Sequence, residues 1–198
     1  LAPPTSTQMT LGAEREIVRD WSLGLDLVWT KGIKFTRLEN FNPVIPGTST
    51  KRKDPTKGNQ WTFTDNGSSN YKAIYFTVAK RLSQGWALDF SYTLSESKAD
   101  VETEQTSPWS YDENAWERQF GFTNNDSLHR VAVSWIANLP LGFQLSGLFS
   151  YRSKTPWNAV YAADINKDSL RNDYVDWNRN SRRGFDAYSL NMRISKYF

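Results

Sequence analysis

A period-two alternation of apolar and small or polar residues, returning over stretches of about ten residues, constrains this chain more than any other feature. From Trp21 the alternate positions are Trp21, Leu23, Leu25, Leu27 and Trp29, with Ser22, Gly24, Asp26, Val28 and Thr30 between them. Trp86, Leu88, Phe90, Tyr92 and Leu94 repeat the pattern against Ala87, Asp89, Ser91 and Thr93. Phe143, Leu145, Gly147, Phe149 and Tyr151 do so against Gln144, Ser146, Leu148 and Ser150. A fourth run sets Tyr188, Leu190, Met192, Ile194 and Phe198 against Ser189, Asn191, Arg193 and Ser195. Weaker runs lie at Thr7, Met9, Leu11 and Ala13, at Ile74, Phe76 and Val78, and at Val131, Val133 and Trp135. Successive side chains of a strand point to opposite faces, so these are about seven strands, each with one apolar and one wet face.

Composition decides what the apolar face meets. Hydrophobic residues make up only 38% of the chain, too few to fill a water-soluble core with ease, yet aromatics reach 15%. Disordered chains are poor in aromatics, so disorder is excluded as well. An outer-membrane β-barrel satisfies both numbers: lumen and loops are polar, only a lipid-facing band is apolar, and rings gather at the two interfaces. Mean hydropathy is then low, here −0.64, although the protein sits in lipid. Runs of about ten residues also suit a tilted strand crossing an outer membrane, and no stretch is long and apolar enough for a membrane helix.

The connections alternate in length. Short ones fall at Val18–Asp20, Ser83–Gly85 and Leu139–Gly142; long ones run from Gly32 to Ser69, Ser97 to Ser127 and Ser153 to Gly184. Short periplasmic turns with long extracellular loops are the outer-membrane arrangement. The expected fold is therefore an all-β, antiparallel, up-and-down transmembrane barrel, with residues 1–198 as one stretch of its wall. An odd number of strands whose first starts outside predicts further strands before Leu1, since single-chain bacterial barrels have even counts. A small self-closing barrel, with one more strand hidden in the first long loop, and a soluble carbohydrate-binding β-sandwich are the alternatives.

Several chemistries find little support. With no cysteine and one histidine, thiolate zinc sites and histidine pairs are ruled out. His129 has no Gly-x-Ser-x-Gly nucleophile elbow to serve, so no enzyme activity is expected. The net charge of +3 is spread among acidic residues, and the basic run Lys51-Arg52-Lys53 lies in a Pro/Gly/Thr-rich stretch, so no nucleic-acid partner is expected. Asp164, Asn166 and Asp168, followed by Asn172 and Asp173, have the alternate-oxygen spacing of a calcium loop. Ser169 and Asp173 replace the Gly and distal Glu such a loop needs, so the segment reads as a polar turn, and no metal or cofactor is expected. Asp26, Asp89 and Arg193 fall on the polar faces of their strands and should face the lumen, where a charge avoids the cost of hydrocarbon. Trp109, Tyr111 and Trp116 could stack on a sugar, but packing of their own loop is the expected role.

From Asp126-Ser127-Leu128-His129-Arg130-Val131 through Asn138-Leu139-Pro140-Leu141-Gly142, the sequence resembles the C-terminal barrel of TonB-dependent receptors. It is similar to their Oar-like subgroup, which carries a carboxypeptidase-regulatory-like N-terminal domain. The likeness continues through Tyr151-Arg152-Ser153-Lys154-Thr155-Pro156-Trp157, Asp164 to Asp173 and the closing Ser189 to Phe198, and includes Asn70-Tyr71-Lys72-Ala73 and Lys80-Arg81-Leu82-Ser83-Gln84-Gly85-Trp86. The resemblance implies energy-coupled uptake through a plugged barrel of about 22 strands. Its implied partners are outer-membrane lipid, an unidentified extracellular ligand, the barrel-assembly machinery, and the TonB complex through an N-terminal region outside this sequence. It also implies that Tyr188, Leu190, Met192, Ile194 and Phe198 form the terminal signal read during barrel assembly.

Overall fold

The computed structural model describes residues 1–101, 114 and 116–197. Seven long strands form one antiparallel sheet: β1 (Thr5–Val18), β2 (Trp21–Asn40), β3 (Trp61–Ser83), β4 (Trp86–Ala99), β6 (His129–Asn138), β7 (Phe143–Arg152) and β10 (Ala187–Lys196). Their spatial order follows their sequence order, and a short β5 (Gly121–Phe122) adds to the loop end of β4. Two two-residue strands, β8 (Pro156–Trp157) and β9 (Arg182–Arg183), pair inside the last long loop. The strand segments expected from the alternation are the ones that form.

Tight turns close one end of the sheet. Gln84 and Gly85 both take positive φ (52° and 86°), the conformation a two-residue hairpin turn demands. Asp20 (φ 70°) turns β1 into β2, and Leu141 and Gly142 (φ 61° and 76°) turn β6 into β7. Long connections occupy the opposite end, after β2, β4 and β7.

The first long loop is shorter than the sequence predicts. Between Gly32 and Ser69, β2 runs on to Asn40 and β3 begins at Trp61, with pairs such as Arg37↔Thr64 and Asn40↔Trp61 carrying the hairpin outward. Register slips between Ile33 and Phe35 and between Phe35 and Arg37, and Lys34 takes φ 61°. That bulge breaks the period-two pattern, so the extension is invisible to a search for alternation. The loop that remains carries a Val44↔Arg52 bridge and, among the described residues, no additional membrane-length strand of the kind a self-closing barrel would need. Among the described residues β1 and β10 each pair on one side only.

Burial is inverted relative to a soluble domain. Apolar side chains on the strands are open, with Leu25 47% and Ile194 67% exposed, whereas the buried residues are mostly polar and lie in or beside the long loops. No second sheet packs on the apolar face among the described residues. This overturns the sandwich alternative, which needs that face inside a dry core.

Candidate functional site

Cross-strand register carries the faces of single strands into one continuous surface. Leu25 faces Phe76, Phe76 faces Tyr92, Tyr92 faces Val131, Val131 faces Tyr151, and Tyr151 faces Tyr188. One row toward the tight turns run Leu23, Val78, Phe90, Val133, Phe149 and Leu190 in the same way. Residues opposite one another in an antiparallel pair share a face, so every apolar set read from the sequence lies on the same side of the sheet. The opposite face is polar: one of its rows is Asp26, Tyr75, Thr93, Arg130 and Arg152. Asp26, Asp89 and Arg193 all fall on that face, as expected. Ser134 donates to Asp89 at 3.4 Å, and Asp26 fills the space that a Cβ on Gly12 would take.

Rings and cations mark the turn end of the apolar face. Trp21 and Trp86 meet edge to face at 5.7 Å. Beside them Lys80 is buried on an otherwise apolar row. Its ammonium donates to the carbonyls of Arg81, Ser83 and Trp86 and to Ser83 Oγ at 2.8–3.2 Å, and stands 4.1 Å from the Trp86 ring centroid. A lysine in this position satisfies itself on turn carbonyls and lends its methylenes to the apolar surface. Toward the other end, Tyr92 Oη and His129 Nδ1 lie 2.8 Å apart with their rings stacked. That contact gives the single histidine a structural place, while the neighbouring Ser127 hydroxyl is directed to the carbonyls of His129 and Ser153.

The long loops build a polar cap that the sequence did not reveal. Arg118, in a short 3-10 turn (Trp116–Arg118), donates to the carbonyls of Tyr174, Asp176 and Trp177. Arg179 donates to the carbonyl of Ala99 at the end of β4, and Asn180 to the carbonyl of Phe122 and the side chain of Asn124. Asp126, its side chain 1% exposed, accepts from Arg183 and from the Ser97 amide, each at 2.7 Å. The loop after β7 is thereby tied to the loop after β4 and to the rim of the sheet. It also reaches the loop after β2, through Gly47 N to the Asn166 carbonyl at 2.7 Å and a bond from Ser169 Oγ to the Ser49 carbonyl.

The Asp164–Asp173 segment is the polar turn that the sequence suggested. Asp164 accepts from the amides of Asp168 and Ser169, Asp173 from those of Ile165 and Asn166, and Asp168 from that of Leu170. Nearby, hydrogen bonds from Arg182 hold the Asp176 carboxyl below the ordinary aspartate value. Trp109 and Tyr111 lie outside the described residues. Of the terminal set, Tyr188, Leu190, Met192 and Ile194 stand on the apolar face of the edge strand β10, between 57% and 78% exposed, and Phe198 lies outside the described residues.

A sheet with one face of hydrocarbon-seeking side chains, interfacial rings, and bonded loops at one end can do one thing plainly: form a stretch of membrane-spanning wall. Comparison with known proteins agrees. The family described as outer membrane beta barrel domain matches residues 1–198. Among solved structures, the outer membrane transporter YddB from Escherichia coli is similar in fold, with a TM-score of 0.61 at 9% identity. The similarity covers 98% of this chain and 26% of that transporter, so the chain spans about a quarter of its length. No curated protein matches the sequence. The protein resides in the outer membrane, and the chain belongs to the outer membrane β-barrel domain family.

Proposed function

We propose that this chain is the C-terminal part of the barrel of a TonB-dependent outer-membrane receptor, without catalytic chemistry of its own. Its sheet forms the lipid-facing wall and its long loops meet an extracellular ligand. The observation that carries the reading is the continuous apolar face together with two edges that, among the described residues, pair on one side only. In lipid, a bare strand edge leaves its N–H and C=O groups unsatisfied at several kcal/mol each. Further strands joined to β1 and β10 remove that cost, and the small share of YddB that the chain covers supports a larger barrel. Energy coupling to an inner-membrane complex and a plug come with this reading. So does recognition of the exposed row Tyr188, Leu190, Met192 and Ile194, completed by Phe198, by the barrel-assembly machinery.

The test is an immunoblot of outer membranes from formaldehyde-treated cells, with antibodies to the loop after β7. The reading predicts a species far larger than 22.8 kDa that co-isolates with TonB. A species of 22.8 kDa with no TonB adduct would contradict it and favour the self-closing barrel.

A further inference from the structure

Two arginines stand side by side on the polar face. Arg130, the second residue of β6, and Arg152, the last of β7, are directly opposite in the ladder, on the row that contains Thr93. Both are exposed, and neither has an ion-pair partner among the described residues. Arg130 donates to the Asn125 carbonyl at 2.8 Å, which fixes its guanidinium without neutralising it. The carboxylates that β2 and β4 place on this face stand off. Asp26 is three strands from Arg130 along the same row, about 14 Å at ~4.8 Å per strand. Asp89 is opposite Ser134, four residues along β6 and so about 13 Å or more away. Like charges directly opposite one another destabilise a strand pair, a cost that an anion between the two guanidiniums would cancel. The next row toward the turns is Ser91, Ala132, Ser150 and Ser189. Their short side chains floor a hollow of about 610 Å³ that the two arginines border. The Ser150 and Ser189 hydroxyls lie 2.8 Å apart, and one hydrogen serves that bond, so the other is left to donate into the hollow.

We propose that this is a binding site for a small phosphate monoester, its phosphate between Arg130 and Arg152 and its organic part in the hollow. Two guanidinium forks bring two positive charges to a group that carries close to two negative ones and three acceptor oxygens. A lone carboxylate satisfies one fork and leaves the second arginine with water. Arg130 and Arg152 sit at the loop end of their strands, where a solute entering between the loops first meets the wall. The site rests on the barrel reading, which turns this face toward water, and it is independent of TonB coupling.

The full protein, purified from outer membranes in mild detergent, is titrated calorimetrically with glycerol 3-phosphate and with glycerate, its single-carboxylate counterpart. The phosphate ester should bind about ten-fold more tightly, and Arg130→Gln and Arg152→Gln should each weaken its binding by about ten-fold or more. Both variants should assemble, since each removes a like-charge contact. Glycerate bound as tightly as the ester would overturn the proposal. So would no binding of the ester by the native protein, because another part of that protein would then already neutralise the arginines. Unchanged affinity in both variants would refute it as well. Should neither variant assemble, Arg152→Lys decides: charge without the planar fork should cost several-fold, and equal affinity sinks the site. Ester binding without a TonB adduct contradicts the receptor reading alone, and an adduct without ester binding contradicts this site alone.

Discussion

Trp135 and Gly147 stand opposite one another across β6 and β7, and the indole occupies the space that a Cβ on Gly147 would need. The pair lies on the lipid side, where the missing side chain lets a large ring cover the strand. Gly147→Ala should displace the indole and cost about 1 kcal/mol or more, as overpacking does. Trp135→Ala should relieve that cost. A double-mutant cycle on denaturant-induced unfolding in detergent should therefore return a coupling of roughly 0.5–3 kcal/mol, and strict additivity would show that the ring does not depend on the glycine.

Lys80 supports the turn between β3 and β4. The three N–H groups of its ammonium are shared among four acceptors, and Lys80→Met keeps the methylenes but strips the carbonyls of Ser83 and Trp86 of their donor. Charge-assisted bonds of this kind contribute about 1.5–3 kcal/mol. The variant should unfold at lower denaturant by a corresponding amount, with its fold retained.

In the cap, Asp126 holds Arg183 and the Ser97 amide together. Removing one partner of a buried, hydrogen-bonded charge pair costs about 3–5 kcal/mol, less here because Arg183 is partly exposed. Asp126→Ala should remove one of the ties that hold the loop after β7 to the rim of the sheet, leaving those of Arg179 and Asn180. Limited proteolysis on intact cells should then cut between residues 153 and 186 much faster than in the native protein, with barrel assembly unchanged.

Acid should loosen a second tie in the same loop. The Asp176 carboxyl is held below the ordinary aspartate value of 3.8, first by the hydrogen bond from Arg182. Its contribution is therefore present above that value and is lost as pH falls through the lower folded value. Arg182 stays protonated throughout and adds no pH dependence in this range. Cleavage near residue 176 by an acid-stable protease should rise below about pH 4, and Asp176→Asn should abolish that dependence.

The membrane wall was legible in the sequence because it is local. Leu23, Leu25 and Leu27 declare their face by spacing alone, and their partner is lipid, which needs no distant segment to supply it. Lys80 and the Trp135–Gly147 contact required the register between strands, which alternation does not provide. The β2–β3 extension was hidden by the bulge at Lys34, and the cap by distance: Arg118 meets Trp177 and Arg179 meets Ala99 across most of the chain's loops. No motif marks such contacts, because each is a side chain finding a backbone carbonyl.

Alternate residues of each strand touch hydrocarbon and their neighbours touch water. Nitroxide labels placed singly at Leu88 through Leu94 of β4, in protein reconstituted in bilayers, test it most directly. Labels at 88, 90, 92 and 94 should collide mainly with oxygen dissolved in the lipid, and those at 89, 91 and 93 mainly with a water-soluble nickel chelate. Accessibility that is uniform along the strand, or alternation with the opposite phase, would contradict the account.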